Sequence, residues 1–211
     1  MKNCEMWRCK VRKKLVLGIM SFALIIFFSS CNKNTRNTEE IIYYLKDLNS
    51  YSCNVNMSIK NSKEEINYSG KQFYHVKYGD RLDLGKDEII FYKQNKIVAK
   101  RIGSGNIYNY NKNFDSLFKF CFIDQYISLL YTNEKIENSF QNISNQQYQV
   151  IHLDIPGNNK NINKAELYVN VKHNTPTYLI IYDSDGKERI KVHYTDFKAN
   201  PELGEDVFNI N

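Results

Sequence analysis

FDSLFKFCFIDQYISLLY, residues 114–131, is the stretch of this sequence that decides the fold. Its apolar side chains do not form one stripe, because they fall on most sides of a helix of 3.6-residue period. The residues that define it are Phe114, Leu117, Phe118, Cys121, Phe122, Tyr126, Leu129 and Leu130. A helix without a polar face must be covered on most sides. We therefore predict a buried helix from Phe114 to Tyr131, wrapped by a curved sheet.

The sequence on both sides of this segment has the period of β-strands. Apolar and polar residues alternate from Cys53 to Ile59, and similar runs continue to Tyr110 and resume from Ile151 to Thr195. Short turns separate the runs, and Asp183–Gly186 is typical of a hairpin. Because short connections join consecutive strands, we predict an antiparallel meander. Thr38 to Asn49 has apolar residues at helical spacing, which predicts an N-terminal helix.

Residues 1–30 have the pattern of an export signal. Basic residues between Lys10 and Lys14 precede an apolar segment from Leu15 to Phe28. As a helix that segment would span about 21 Å, which is shorter than the ~30 Å hydrocarbon core of a bilayer. An ordinary signal peptide or an uncleaved anchor are the alternatives to a lipoprotein signal.

The cysteine at the end of the apolar run favours the lipoprotein signal. Phe28-Ser29-Ser30-Cys31 resembles a bacterial lipobox, although such motifs more often carry Leu at the position of Phe28. In signals of this kind the thiol receives a diacylglyceryl group and the cysteine becomes the first residue. We expect residues 1–30 to be the signal peptide, Cys31 the site of lipid attachment, residues 31–37 a tether and residues 38–211 a single domain.

The charge of the chain lies mainly in the signal. The whole chain has a formal net charge of +6, but residues 1–30 hold six Lys or Arg and one Glu, which leaves the remainder near +1. A nucleic-acid partner is therefore not expected. Beyond Cys31 only Cys53 and Cys121 remain, and they could form a disulfide in an oxidising space or remain two buried free thiols.

No combination of residues predicts catalysis. His75, His152, His173 and His193 lack the i, i+4 ligand spacing of a helical metal site, and His152 and His193 fall on the polar positions of their strands. There is no GxSxG elbow and no glycine-rich phosphate loop. The sequence predicts a non-enzyme without cofactor or metal.

The C-terminal third carries a resemblance to a known superfamily. NTPTYLIIYDSDGKERIKVHYTDFKANPELGEDVFNI, residues 174–210, resembles the end of LolA/LolB-like lipoprotein carriers, with Pro176 opening a strand, a turn at Asp185-Gly186, and then Asn200 and Phe208. The implied fold is α+β: a curved antiparallel half-open β-barrel, with an N-terminal helix and a buried apolar helix on the concave face.

Within that superfamily, several segments resemble the GerS-type germination lipoproteins of spore-forming clostridia. They are KQFY at 71–74, FIDQYISLLYTNE at 122–134, YQVIHLDIPGNNKNINKAELYVNVK at 148–172, and the tail. The resemblance implies a non-catalytic protein that binds and activates a CwlD-type cortex amidase, which enables muramic-δ-lactam formation and germination. It also implies a lipid anchor on the outer face of a membrane, in the forespore intermembrane space.

Two alternatives remain beside the amidase activator. One is a LolA-like carrier of lipid or lipoprotein, which would need an empty cavity where this chain has bulky Phe residues. The other is an envelope enzyme on the same scaffold, because a fold does not fix a function. The exposed strand edges of a half-barrel can also recruit a partner strand or exchange strands between two copies, which would give a homodimer.

Overall fold

The structure is a computed structural model that describes residues 38–111, 117–132 and 136–210. The predicted signal peptide, Cys31 and the tether lie outside these residues, as does Phe114. The described residues belong to one compact unit, which spans 37–211. The strands are β1 (Ser50–Lys60), β2 (Glu65–His75), β3 (Gly79–Leu84), β4 (Glu88–Tyr92), β5 (Lys96–Arg101), β6 (Ile107–Asn111), β7 (Glu137–Ile143), β8 (Gln146–Asp154), β9 (Lys164–Asn170), β10 (Thr175–Tyr182) and β11 (Glu188–Ala199).

All eleven strands form one antiparallel sheet with two open edges. Its order is β6-β5-β4-β3-β2-β1-β11-β10-β9-β8-β7, so each half is a meander and the halves meet where β1 pairs with β11. The register of that pair shifts between Ser52 and Asn54, which is a bulge. Because bulges bend strands and increase their twist, this one contributes curvature at the centre of the sheet. The predicted curved, half-open antiparallel fold is confirmed.

Two helices lie in the main core on the concave face. α1 (Thr38–Lys46) contributes Ile41, Ile42 and Leu45, which are all buried. α2 (Ile123–Thr132) contributes Ile123, Tyr126, Ile127 and Leu130. They pack against the inward side chains of the strands, such as Val55, Leu167 and Val192. Thus the alternation seen in the sequence separates a concave core from a more polar outer face.

The apolar segment of residues 114–131, as far as the structure describes it, differs from the single helix that we predicted. A 3-10 helix (Lys119–Cys121) comes first, Phe122 is extended (φ −89°, ψ 136°), and α2 begins at Ile123. Leu117 precedes the 3-10 helix and is 43% exposed, so its predicted burial is wrong. Phe118 and Leu129 are half-buried, while Cys121, Phe122, Tyr126 and Leu130 are buried.

The end of α1 and the presence of β7 also depart from the prediction. α1 ends at Lys46 rather than Asn49, because the chain must turn before Ser50 starts β1. β7 was not foreseen, since ENSFQNI has no apolar alternation. It is an edge strand whose side chains are mostly exposed, and so burial imposes no pattern on it.

Candidate functional site

The concave face opens into a pocket at one end of the sheet. The pocket has a volume of about 540 Å³ and lies between the β1–β2 turn, β11 and the chain that leads into the 3-10 helix. Its apolar lining comprises Ile59, Ile66, Tyr68, Leu117, Phe118, Ile162 and Ile190. Tyr68 and Phe118 meet edge to face, with ring centroids 4.9 Å apart. The side chains of the apolar segment therefore close the inner side of this pocket without filling it.

The charged groups at the rim of the pocket are already paired. Lys60 Nζ lies 2.8 Å from Glu188 Oε1, and Arg189 Nη2 lies 2.7 Å from Asp183 Oδ2. The Asp183 carboxylate also accepts backbone N–H groups from Asp185 and Lys187, and these bonds lower its pKa. The charges at the rim therefore cancel in pairs. A ligand in the pocket would contact mainly the apolar lining.

Side chains of the sheet hold the break before α2 in place. The carbonyl of Cys121 accepts hydrogen bonds from Gln72 Nε2 (3.0 Å) and from the Tyr194 hydroxyl (2.8 Å). The Ile123 N–H donates to the Tyr51 hydroxyl at 3.0 Å. Because these backbone groups are buried, such partners offset the cost of removing them from water. No sequence pattern signals this arrangement, since β1, β2 and β11 each supply one partner.

Two acidic residues lie close together beneath the start of α2. Asp124 accepts hydrogen bonds from Tyr51 and Gln125, and Asp80 on β3 lies beside it. Burial raises the pKa of Asp124 to about 6, although the hydrogen bonds and Lys119 oppose the shift. Burial, followed by the charge of Asp124, raises the pKa of Asp80 well above its usual range. This pair was not predicted from the sequence.

A chain of polar contacts crosses the convex face from β7 to β10. Ser139 Oγ lies 3.1 Å from His152 Nε2, and His152 Nδ1 lies 3.3 Å from Glu166 Oε1. The hydroxyls of Tyr168 and Tyr182 both donate to Glu166 Oε2. The order resembles a nucleophile, a base and an acid.

The setting of this chain of polar contacts differs from that of a catalytic triad. Ser139 is in an edge strand, and the side chain of His152 is 37% exposed in a pocket of about 390 Å³ that Glu166 and Tyr182 also line, so water competes for each contact. Among the described residues no group of His, Cys, Asp and Glu side chains could hold a metal ion. The network therefore ties the edge strand to the sheet.

The other histidines and the two cysteines are distributed singly. His193 stacks on Tyr178 with ring centroids 4.7 Å apart, and His75 stacks on Tyr78 at 4.4 Å. Cys53 and Cys121 are both buried and do not form a disulfide, so of the two states left open by the sequence the structure has the two thiols. Burial raises the pKa of the Cys53 thiol, which makes it a poor nucleophile.

Apolar side chains lie exposed at both open edges of the sheet. Ile107 on β6 is 51% exposed, and Phe140 on β7 is 44% exposed. Edge strands with exposed apolar side chains can pair with another chain. In the part of the chain that the structure describes, no helix is long and apolar enough to cross a membrane.

Comparison with known proteins shows which family the chain matches. Residues 11–208 match the family described as "Sporulation protein YdcC-like". The curated "Sporulation protein YdcC" of Bacillus subtilis (strain 168) is 21% identical over 220 residues. The alignment covers 95% of this chain and 61% of that protein, so the chain spans about three-fifths of the length of its relative.

Three solved structures are similar to this chain at low sequence identity. An uncharacterised conserved protein from Thermus thermophilus superposes with a TM-score of 0.52 at 9% identity, covering 82% of this chain and 93% of that one. The LolA superfamily protein NE2245 from Nitrosomonas europaea has a TM-score of 0.41 at 12% identity, covering 82% and 97%. The third structure, the CwlD amidase from Clostridioides difficile in complex with the GerS lipoprotein, matches with a TM-score of 0.39 at 24% identity, covering 80% and 97%.

Proposed function

Because this chain belongs to the YdcC-like family of sporulation proteins, we propose that it is a non-catalytic envelope lipoprotein that binds and activates a cortex amidase. The partner is an N-acetylmuramoyl-L-alanine amidase of the CwlD type. The activated amidase would remove peptides from cortex peptidoglycan so that muramic-δ-lactam can form. Germination would then depend on this protein through its partner.

The observation that carries a binding role is the open sheet with apolar side chains at its free edges. Ile107 and Phe140 lie on β6 and β7, the two terminal strands. A terminal strand offers unpaired backbone groups, and adjacent apolar side chains add area that a partner can bury. The choice of an amidase follows from the resemblance of residues 122–134 and 148–172 to GerS-type proteins.

The proposed location rests on Cys31. We expect the mature chain to begin there with two or more acyl chains, which suffice for lasting membrane attachment. The domain would then stand on the outer face of a membrane, in the forespore intermembrane space. Intact mass of the detergent-extracted protein tests this step. A mature N-terminus elsewhere, or an unmodified Cys31, would remove the anchor from the proposal.

Co-purification tests the binding role. The tagged protein, extracted from sporulating cells, should capture a cortex amidase, and Phe140→Lys or Ile107→Lys should weaken capture if that edge is used. Tyr43→Lys is the matched control, because Tyr43 is also well exposed, at 60%, but belongs to α1 and not to an edge strand. If the unmodified protein captures no amidase, the proposal fails. If capture is unchanged in both edge variants, the partner binds elsewhere.

The apolar pocket of about 540 Å³ favours a second candidate function, a LolA-like carrier of lipid or lipoprotein. Ile66, Phe118 and Ile190 could contact an acyl chain there. Mass spectrometry of an organic extract of the purified protein distinguishes the two. Stoichiometric lipid that is lost in Ile190→Glu would support the carrier, whereas a protein free of lipid would leave the amidase partner as the function.

A further inference from the structure

The bulge between β1 and β11 also shapes a pocket on the convex face. Its volume is about 400 Å³, and residues of β1, β2 and β11 line it. The side chains that give the pocket its chemical character are Ser52, Asn54, Lys71, Phe73, Asp196 and Lys198. The pocket therefore combines two cations, one carboxylate, two neutral polar groups and an aromatic ring.

The bulge determines which residues of β11 reach this pocket. Two of them, Asp196 and Phe197, lie opposite a single residue of β1, and Asp196 has a left-handed backbone conformation with a φ of 52°. The Asp196 carboxylate accepts a hydrogen bond from Asn54 Nδ2 at 2.5 Å on the convex face, whereas Phe197 stacks on Tyr51 in the core. Because of the extra residue, Lys198 lies on the convex face, although strict alternation along β11 would have put it in the core.

The two lysines of the pocket have no ion-pair partner among the residues that the structure describes. Lys71 lies directly opposite Asp83 on β3, but Asp83 binds Arg81 with both carboxylate oxygens, at 2.7 and 3.0 Å. The acid nearest to Lys71 across the strands is therefore already engaged. In the lining, the ammonium groups of Lys71 and Lys198 against the single carboxylate of Asp196 leave a formal charge of +1.

We propose that this pocket binds the free carboxylate of a short peptide. Lys71 and Lys198 donate charge-assisted hydrogen bonds to the carboxylate from β2 and β11, and the Ser52 hydroxyl donates from β1, which lies between those strands. The Phe73 ring packs against the aliphatic part of the last residue of the peptide. Asp196 accepts a backbone N–H group of the peptide with the oxygen that Asn54 does not bind.

The charge of the lining favours a carboxylate over a phosphate. A carboxylate carries one negative charge, which the positive lining neutralises, whereas Asp196 repels the additional charge of a phosphate dianion. The pocket lies on the central strands of the sheet, away from the terminal strands β6 and β7. The proposal is therefore independent of an amidase partner at a sheet edge, and its failure would leave the proposed function standing.

Amide NMR spectra of the full-length chain in detergent micelles test the site with three probes. They are N-acetyl-alanyl-alanine with a free carboxylate, the same peptide as its C-terminal amide, and inorganic phosphate. We expect the free acid to shift the amide signals of residues 52–54 and 196–198 until they saturate. The amide form and phosphate should bind at least about fivefold more weakly, because they lose the ion pairs or meet Asp196. Equal binding of the acid and amide forms, tighter binding of phosphate, or no saturable shift at these residues would each overturn the proposal.

Lys71→Met and Lys198→Met test whether the lysines carry the binding. Each variant should raise the dissociation constant of the free acid about fivefold, because each removes one exposed ion pair and keeps an apolar stem. Both lysines are exposed, so the variants should fold as the unmodified chain does. Lys191→Met is the matched control, since Lys191 is an exposed lysine of β11 outside the pocket. Unchanged binding in both pocket variants, or an equal loss in Lys191→Met, would contradict the assigned site.

Discussion

Single residues determine how closely the strands of this sheet approach. Gly70 on β2 is the clearest case, since it pairs with Val55 on β1 and with Leu84 on β3. A Cβ atom at this position would collide with the carbonyl oxygen of Asp83, which belongs to the neighbouring strand. The obstacle is backbone rather than a flexible side chain. A side chain at position 70 therefore requires β2 and β3 to move apart.

Gly70→Ala should destabilise the protein by about 1–3 kcal/mol, as overpacked sites usually do. Ser69→Ala is the control on the same strand, because Ser69 is exposed and its hydroxyl makes one hydrogen bond, to Asn56, at 2.8 Å. At an exposed position such a hydrogen bond contributes at most about 1.5 kcal/mol to the free energy of unfolding. Urea unfolding of both variants measures the difference. Equal stabilities would mean that β2 and β3 separate at no cost.

At the scale of elements, the apolar segment combines two environments that its sequence does not distinguish. Phe122 is fully buried, and its ring meets Tyr92 at a centroid distance of 5.6 Å. Phe118 has the same side chain, yet it is half-buried at the edge of the pocket. Apolar composition could predict that the segment needs burial. It could not predict the break at Phe122, which depends on partners from three strands.

Phe122→Ala should cost about 3–5 kcal/mol, the usual range for a large cavity in a core. Phe118→Ala should cost less than about 2 kcal/mol, since part of its surface is already in contact with water. Urea denaturation compares the two free energies of unfolding directly. A larger loss at Phe118 than at Phe122 would show that Phe118, and not Phe122, is the side chain that anchors the segment in the core.

At the scale of the whole molecule, the sequence was informative where burial imposes a period. The β1 and β11 strands alternate because their inward residues, such as Met57 and Val192, are in the core. β7 lacks such a pattern, being a polar edge strand, and it was missed. The Asp80–Asp124 pair and the Ser139–His152–Glu166 chain were also missed. Each joins residues that are distant in sequence and that only the sheet brings together.

The activity of a CwlD-type cortex amidase, measured with and without residues 32–211 of this chain, tests the central claim most directly. The fragment contains the compact unit of 37–211 and omits the predicted signal and lipid site. On its own it should release no peptide from cortex muropeptides. Added to the amidase, it should bind and raise the rate of peptide release until the amidase is saturated, and Tyr43→Lys should do the same. An amidase that neither binds the fragment nor responds to it would contradict the activator role and favour the carrier.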